Sequence, residues 1–271
     1  MEAARQHGSR SQEVDVLIDR RELLEKARQQ NLGLRMVEKD YVLGWLLFGL
    51  SRDRDLVFKG GTALSKVYFP EMWRLSEDLD FSLARGELKN LLESTEAVLA
   101  EVKKRSGLEL ALKSSHLNPD YLQMKIQYAG ILDRNWIKVD VTRDDIVDQP
   151  VLRAIPRAYS DYASFKVRVE SLIEIFASKM RVVIERKKCR DYFDLWKLGQ
   201  RKFDKTRLKD VFAKKCAVKN VTFEGLAQVF PEDLTETLRP YWNRELGRLV
   251  SPLPDLDVVL KKARETLASF F

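Results

Sequence analysis

Residues 58–83 read FKGGTALSKVYFPEMWRLSEDLDFSL. The DLDFS portion alternates polar and apolar residues, the period of a strand. Residues two apart in a strand point to the same face, so Asp78 and Asp80 project together, about 7 Å apart along the backbone. Two like charges held that close repel unless something positive sits on them. Such a pair is either a solvated surface feature or a set of oxygen ligands for a hard divalent cation such as Mg²⁺, which takes one or two carboxylates plus substrate phosphates.

The preceding residues bear on that choice. Gly60-Gly61-Thr62 stands where a short apolar strand, LVFK, runs into a helical pattern, ALSKVYF. Glycines let the backbone approach a phosphate closely, and a helix start offers free N–H groups. Gly60-Gly61 alone could be a plain tight turn. A phosphate-cradling turn followed by a two-carboxylate strand makes a nucleotide-plus-metal site, with Gly60, Gly61, Thr62 and Ser65 as the cradle. Ser76, beside the acidic pair, is either a turn residue or a hydrogen-bond donor to the nucleotide.

Further along, Trp136 to Thr142 reads as a strand with Lys138, Asp140 and Thr142 on one face. Asp140 is either a third metal carboxylate or a strand Asp paired with Lys138 or a neighbouring Arg. Lys179 and Arg186 are seven apart and share one helix face. Around them Arg181, Lys187, Lys188 and Arg190 are offset only by Glu185. Such density suits phosphate or RNA binding, and equally a solvated basic face. Arg190 and Asp194 stand at i, i+4 and can pair along a helix.

Three segments together resemble the AbiEii/AbiGii-type toxins, nucleotidyltransferase-like proteins of the DNA polymerase β superfamily that include the MenT tRNA-modifying toxins. They are Gly60 to Leu64 with Leu75 to Phe81, then Lys179 to Arg186, and Arg190 to Leu195, which is similar to an Arg-Asp-x-x-Asp-Leu motif. Val182 or Val183 replaces a small residue of the second motif. Order and spacing agree from about residue 38 to residue 200, and the ends carry no motif of the family. The resemblance implies that Asp78, Asp80 and Asp140 hold two Mg²⁺ (or Mn²⁺) ions. It implies that Lys179 contacts the NTP phosphates and that Asp194 reaches the active cleft, with Asp191 orienting a basic neighbour. In the MenT branch the serine matching Ser76 can be phosphorylated by a partner antitoxin; a phosphate there would place about −2 charge where metal and triphosphate must sit.

The chain has 271 residues, 45% hydrophobic, with 48 Lys and Arg against 41 Asp and Glu, a net charge of +7. That balance suits a polyanionic partner. Cys189 and Cys216 lack paired-ligand spacing, which excludes a Cys-rich zinc site and a disulfide framework. Cys189 either packs as a small apolar residue or lies exposed in the basic stretch. His7 falls in a polar tail and His116 in an expected loop, so histidine-based nucleophile activation is disfavoured. With no apolar leader and no membrane-length run, the expected location is the cytoplasm.

Helical spacing marks 14–30, 38–51 and 87–105, and strand patterns mark 108–113, 121–128 and 136–142, with turns at Asn118-Pro119-Asp120 and Asp133-Arg134-Asn135. From about residue 169 the pattern is helical: 170–187, 190–200, 206–215, 222–229, 232–248 and 255–269. These patterns predict an α+β, bilobed protein. A nucleotidyltransferase-like α/β lobe (1–165), with a mixed sheet and helices, precedes a mostly helical lobe (166–271), and the site lies in the cleft between them. The expected function is Mg²⁺-dependent transfer of a nucleoside monophosphate from an NTP to RNA, by resemblance a tRNA 3′ end, by a toxin with a cognate antitoxin. Arg186, Lys187, Lys188 and Arg190 are the expected RNA contacts. The rival readings are a nucleotidyltransferase acting on a protein or small molecule, and a nucleotide-binding module with a decayed site.

Overall fold

A computed structural model describes residues 18–70, 74–143 and 146–271. Helix α1 (Arg20–Gln30) starts where the Asp19 carboxylate accepts from the Arg21 N–H and stops at Asn31, in the left-handed region at φ 49°. Residues 14–17 of the expected first helix lie outside the described residues. Helix α2 (Leu34–Leu50) is buried on nearly every side, which marks it as a core helix.

Strand β1 (Leu56–Lys59) leads into α3 (Gly60–Ala63), which widens into a single π-helical turn at Leu64–Tyr68. Strand β2 (Asp78–Leu83) follows, then α4 (Leu88–Ser106), ended by Gly107 at φ 67°. Strands β3 (Glu109–Asn118), β4 (Tyr121–Ala129) and β5 (Arg134–Thr142) form a meander. β3 runs five residues beyond the expected Lys113, so His116 lies in a strand rather than a loop.

Two short strands, β6 (Val151–Ala154) and β7 (Lys166–Val169), complete a mixed sheet in the order β3-β4-β5-β2-β1-β7-β6. Neither is marked by the sequence pattern. β7 pairs in parallel with β1 and carries the sheet past residue 165. The buried face of β2, β4 and β5, with Leu79, Phe81, Met124, Ile126, Ile137 and Val139, packs beneath α2 and α4.

The remaining helices are α5 (Leu172–Glu185), α6 (Cys189–Leu198), α7 (Lys205–Val218), α8 (Leu226–Val229), α9 (Leu234–Leu246) and α10 (Leu256–Ala268). The expected helix 222–229 is only its last turn. α5 packs on α6 and α7, and α10 on α6 and α9. Cys189 and Cys216 are both buried free thiols. Among the described residues no helix is long and apolar enough to cross a membrane.

Candidate active site

The site begins where β1 ends. Gly60 has φ +77°, and a Cβ there would stand 2.6 Å from Asp80 Oδ2. A Cβ on Gly61 would stand 2.6 Å from Arg74 Nη2. Glycine is therefore required at the first position by backbone conformation and at both by close approach. The Thr62 hydroxyl donates to the Asp78 carbonyl, tying the turn to the carboxylate strand. Ser65 does not join this group: its hydroxyl donates back to Thr62 O, and its side chain lines a different cavity.

β2 lies between β1 and β5. Its pairing with β5 is parallel, with Asp80 opposite Asp140 and Asp78 opposite Lys138. Both expected partners of Asp140 thus coincide in one place. Lys138 Nζ lies 2.8 Å from Asp140 Oδ2, and Asp140 faces the same way as Asp80. Two residues that sequence pattern does not single out fix Asp140 from β4. Tyr121 Oη donates to Asp140 Oδ1 at 2.7 Å, and Gln123 Nε2 donates to the same oxygen at 3.1 Å. Burial and the hydrogen bond to Asp140 raise the Tyr121 phenol to about 12, so it remains a donor.

Burial raises the Asp80 carboxyl above its ordinary range; repulsion from Asp140 and Asp78 adds to it, while Lys59 and Lys179 offset part. Burial also raises Asp78, and Lys138, Lys39 and Arg190 partly offset it. Among the described residues no three acidic, His or Cys side chains converge into a closed metal cage. The donor chemistry nonetheless fits a hard cation: carboxylate oxygens on two adjacent strands, one of them destabilised as an anion by burial and then by its acidic neighbours.

A cavity of about 200 Å³ opens beside these residues, lined by Lys59, Gly60, Gly61, Asp80, Lys179 and Arg186 among others. A larger cavity of about 580 Å³, lined by Lys66, Tyr159, Tyr162 and Trp196, includes none of the three carboxylates. Of the three, only Asp80 lines the smaller one.

Beneath the smaller cavity runs a chain of ion pairs. Arg74 grips Asp194 with both arms, Nε to Oδ1 at 2.9 Å and Nη2 to Oδ2 at 2.8 Å. Lys179 Nζ lies 2.7 Å from Asp194 Oδ2 and 2.8 Å from Asp191 Oδ1. Arg186 Nε closes the chain on Asp191 Oδ2 at 2.9 Å. Burial alone would lower the Lys179 ammonium; Asp191 and Asp194 hold it above its usual range. Asp191 is pulled well below the carboxylate range by Lys179 and Arg186 despite its burial. The helical Arg190–Asp194 pair does not form, because Asp194 is fully buried and taken by Arg74 and Lys179.

The other expected RNA contacts divide. Lys188 is exposed, Arg186 is largely exposed, and Arg190 acts on Asp78 through space. Lys187 is engaged elsewhere: its ammonium donates to the carbonyls of Val183, Ile184 and Gln228, closing the end of α5 onto α8. Ser76 is buried and does not line the smaller cavity.

The family model of the nucleotidyl transferase AbiEii toxin, of type IV toxin–antitoxin systems, matches residues 45–268. Among solved structures, MenT4, a nucleotidyltransferase toxin from Mycobacterium tuberculosis H37Rv, superposes with a TM-score of 0.69. It is 20% identical, over 93% of this chain and 89% of its own. JHP933 from Helicobacter pylori superposes with a TM-score of 0.61 at 17% identity, over 88% of this chain and 93% of its own. At these identities the likeness is one of fold. No curated protein matches the chain in sequence. The chain belongs to the AbiEii nucleotidyltransferase toxins, the enzyme half of a toxin–antitoxin system with a cognate antitoxin as its partner.

Proposed function

We propose that this toxin transfers a nucleoside monophosphate from an NTP to a hydroxyl of RNA, the 3′ end of a tRNA, in the cytoplasm. A bond forms between the acceptor oxygen and the α-phosphorus, the α–β phosphoanhydride breaks, pyrophosphate leaves, and the hydroxyl proton passes to solvent. The observation that carries this reading is Asp80 standing opposite Asp140 against a glycine turn that opens, with Lys179 and Arg186, onto one cavity.

Asp78, Asp80 and Asp140 would hold Mg²⁺ or Mn²⁺, which when bound supplies charge neutralisation of the phosphates and lowers the pKa of the attacking hydroxyl. Tyr121 and Gln123 orient Asp140. Gly60, Gly61 and Thr62 shape the phosphate cradle. Lys179, pinned by two carboxylates, stands at the cavity wall, and Arg186, largely exposed though bonded to Asp191 through Nε and Nη2, adds a second cation there for the phosphates. Lys188 and Arg190 extend that basic rim toward RNA.

The test is incubation of the purified protein with each α-labelled NTP and tRNA, with Mg²⁺ or with EDTA. Label at the RNA 3′ end that EDTA abolishes is the expected result. Label confined to protein or to an acid-soluble product, or no label with any NTP, overturns the RNA acceptor.

A further inference from the structure

The sheet has one face covered by α2 and α4 and, over β3, β4 and β5, another that stays open among the described residues. Alternation places Tyr121, Gln123, Lys125 and Gln127 of β4 on the open side, each half-buried, while the residues between them are buried or nearly so. On β5 the same face carries Trp136, Lys138, Asp140 and Thr142. Register aligns Gln127 with Trp136, Lys125 with Lys138 and Gln123 with Asp140. This open face therefore runs without interruption into the carboxylates.

Trp136 is its outlier. It is 39% exposed on an otherwise polar surface. Lys125 Nζ stands 3.9 Å and Lys39 Nζ 5.3 Å from its ring centroid. Lys39 is buried in α2, whereas Lys125 is half-exposed, so the accessible pair is the indole and Lys125, suited to a stacked base whose neighbouring phosphate meets that lysine. Trp136 and Asp140 are four residues apart on one strand, about 13 Å, so a base on Trp136 lies within a short run of nucleotides from the reacting end. Charge agrees. The acidic residues at the inner end are Asp78, Asp80 and Asp140. At the far end Glu109 is paired with Lys103, and Lys39 also meets Glu77 at 3.9 Å.

We propose that this open face of β3–β5 is the platform for the single-stranded 3′ end of the acceptor RNA, with one base stacked on Trp136 and the backbone held by Lys125. The inference rests on the RNA-acceptor reading above and adds a surface to it. A protein partner is the competing occupant. The continuity with Asp140 and the pairing of an indole with a lysine favour nucleic acid.

The experiment uses the full chain as wild type, Trp136→Ala, Trp136→Phe and Lys125→Met. A short single-stranded RNA and tRNA serve as probes, and a non-hydrolysable NTP reports on the nucleotide site. Trp136→Ala is expected to raise KM for RNA about tenfold, with thermal stability and NTP affinity unchanged, and Trp136→Phe to recover most of the loss. RNA should quench tryptophan fluorescence in the wild type and less in Trp136→Phe. Lys125→Met should reduce the log–log salt slope of RNA binding by about 0.7. Wild-type transfer to RNA with unchanged RNA kinetics in Trp136→Ala overturns the platform and leaves the RNA reading standing. Failure of the wild type to label any RNA overturns both.

Discussion

Lys179 and Asp194 form a buried ion pair, Nζ to Oδ2 at 2.7 Å, directly under the glycine turn. From sequence Lys179 is a helix-surface lysine whose loss costs the fold little. In the structure it neutralises two carboxylates that have no access to water.

Lys179→Met therefore removes both activity and stability. Breaking a buried pair by removing one partner costs about 3–5 kcal/mol, so the urea midpoint should fall sharply. An unchanged midpoint would return Lys179 to the surface.

Asp80→Asn is expected to abolish transfer while leaving the melting temperature equal to or above that of the wild type. Its folded-state pKa is raised, so ionised Asp80 opposes folding above that pKa, and the penalty fades as pH falls through it. The stability advantage of the variant should accordingly be largest near neutral pH and shrink on acidification. Melting curves from pH 4 to 8 measure this, and a variant less stable than wild type at pH 7 would refute it.

Gly60→Ala tests the turn. A left-handed φ of +77° and a Cβ 2.6 Å from Asp80 Oδ2 act together. The backbone term alone is about 1–2 kcal/mol, and displacement of the carboxylate should lower kcat well beyond what that stability loss explains. Full activity in Gly60→Ala would mean the turn does not set Asp80.

Lys187 and Lys188 are adjacent but not equivalent. Lys187→Gln should lower stability by about 2 kcal/mol through the loss of its charged hydrogen bonds and leave the salt dependence of RNA binding intact. Lys188→Gln with Arg190→Gln should do the reverse, lowering the log–log slope by about 0.7 for each phosphate no longer neutralised. tRNA titrations at several salt concentrations, beside thermal melts, separate the two. Equal effects on both readouts would contradict the assignment.

The turn and the carboxylate strand are legible in the sequence because each is local: two glycines, then a period of two. Asp140 is legible as a strand residue, but Tyr121 and Gln123 are not, since only the register between β4 and β5 brings them to it. Arg74 carries no signal at all, because its partner Asp194 lies 120 residues away. β6 and β7, four residues each, are too short for alternation to emerge from the chain around them. The basic run 179–190 reads in sequence as one face; in the folded chain Lys179 points inward, Lys187 closes a helix, and Arg186 and Lys188 reach solvent.

The linked charges from Arg74 through Asp194, Lys179 and Asp191 to Arg186 also bear on how a host cell escapes this toxin. Mutations at its buried members, Arg74, Asp194, Lys179 and Asp191, deplete the protein, because a loss of a few kcal/mol lowers cellular abundance. Mutations at Asp80 silence it at full abundance. Survivors of toxin expression should thus sort into two classes on an immunoblot, faint bands with changes under the turn and strong bands with changes on β2.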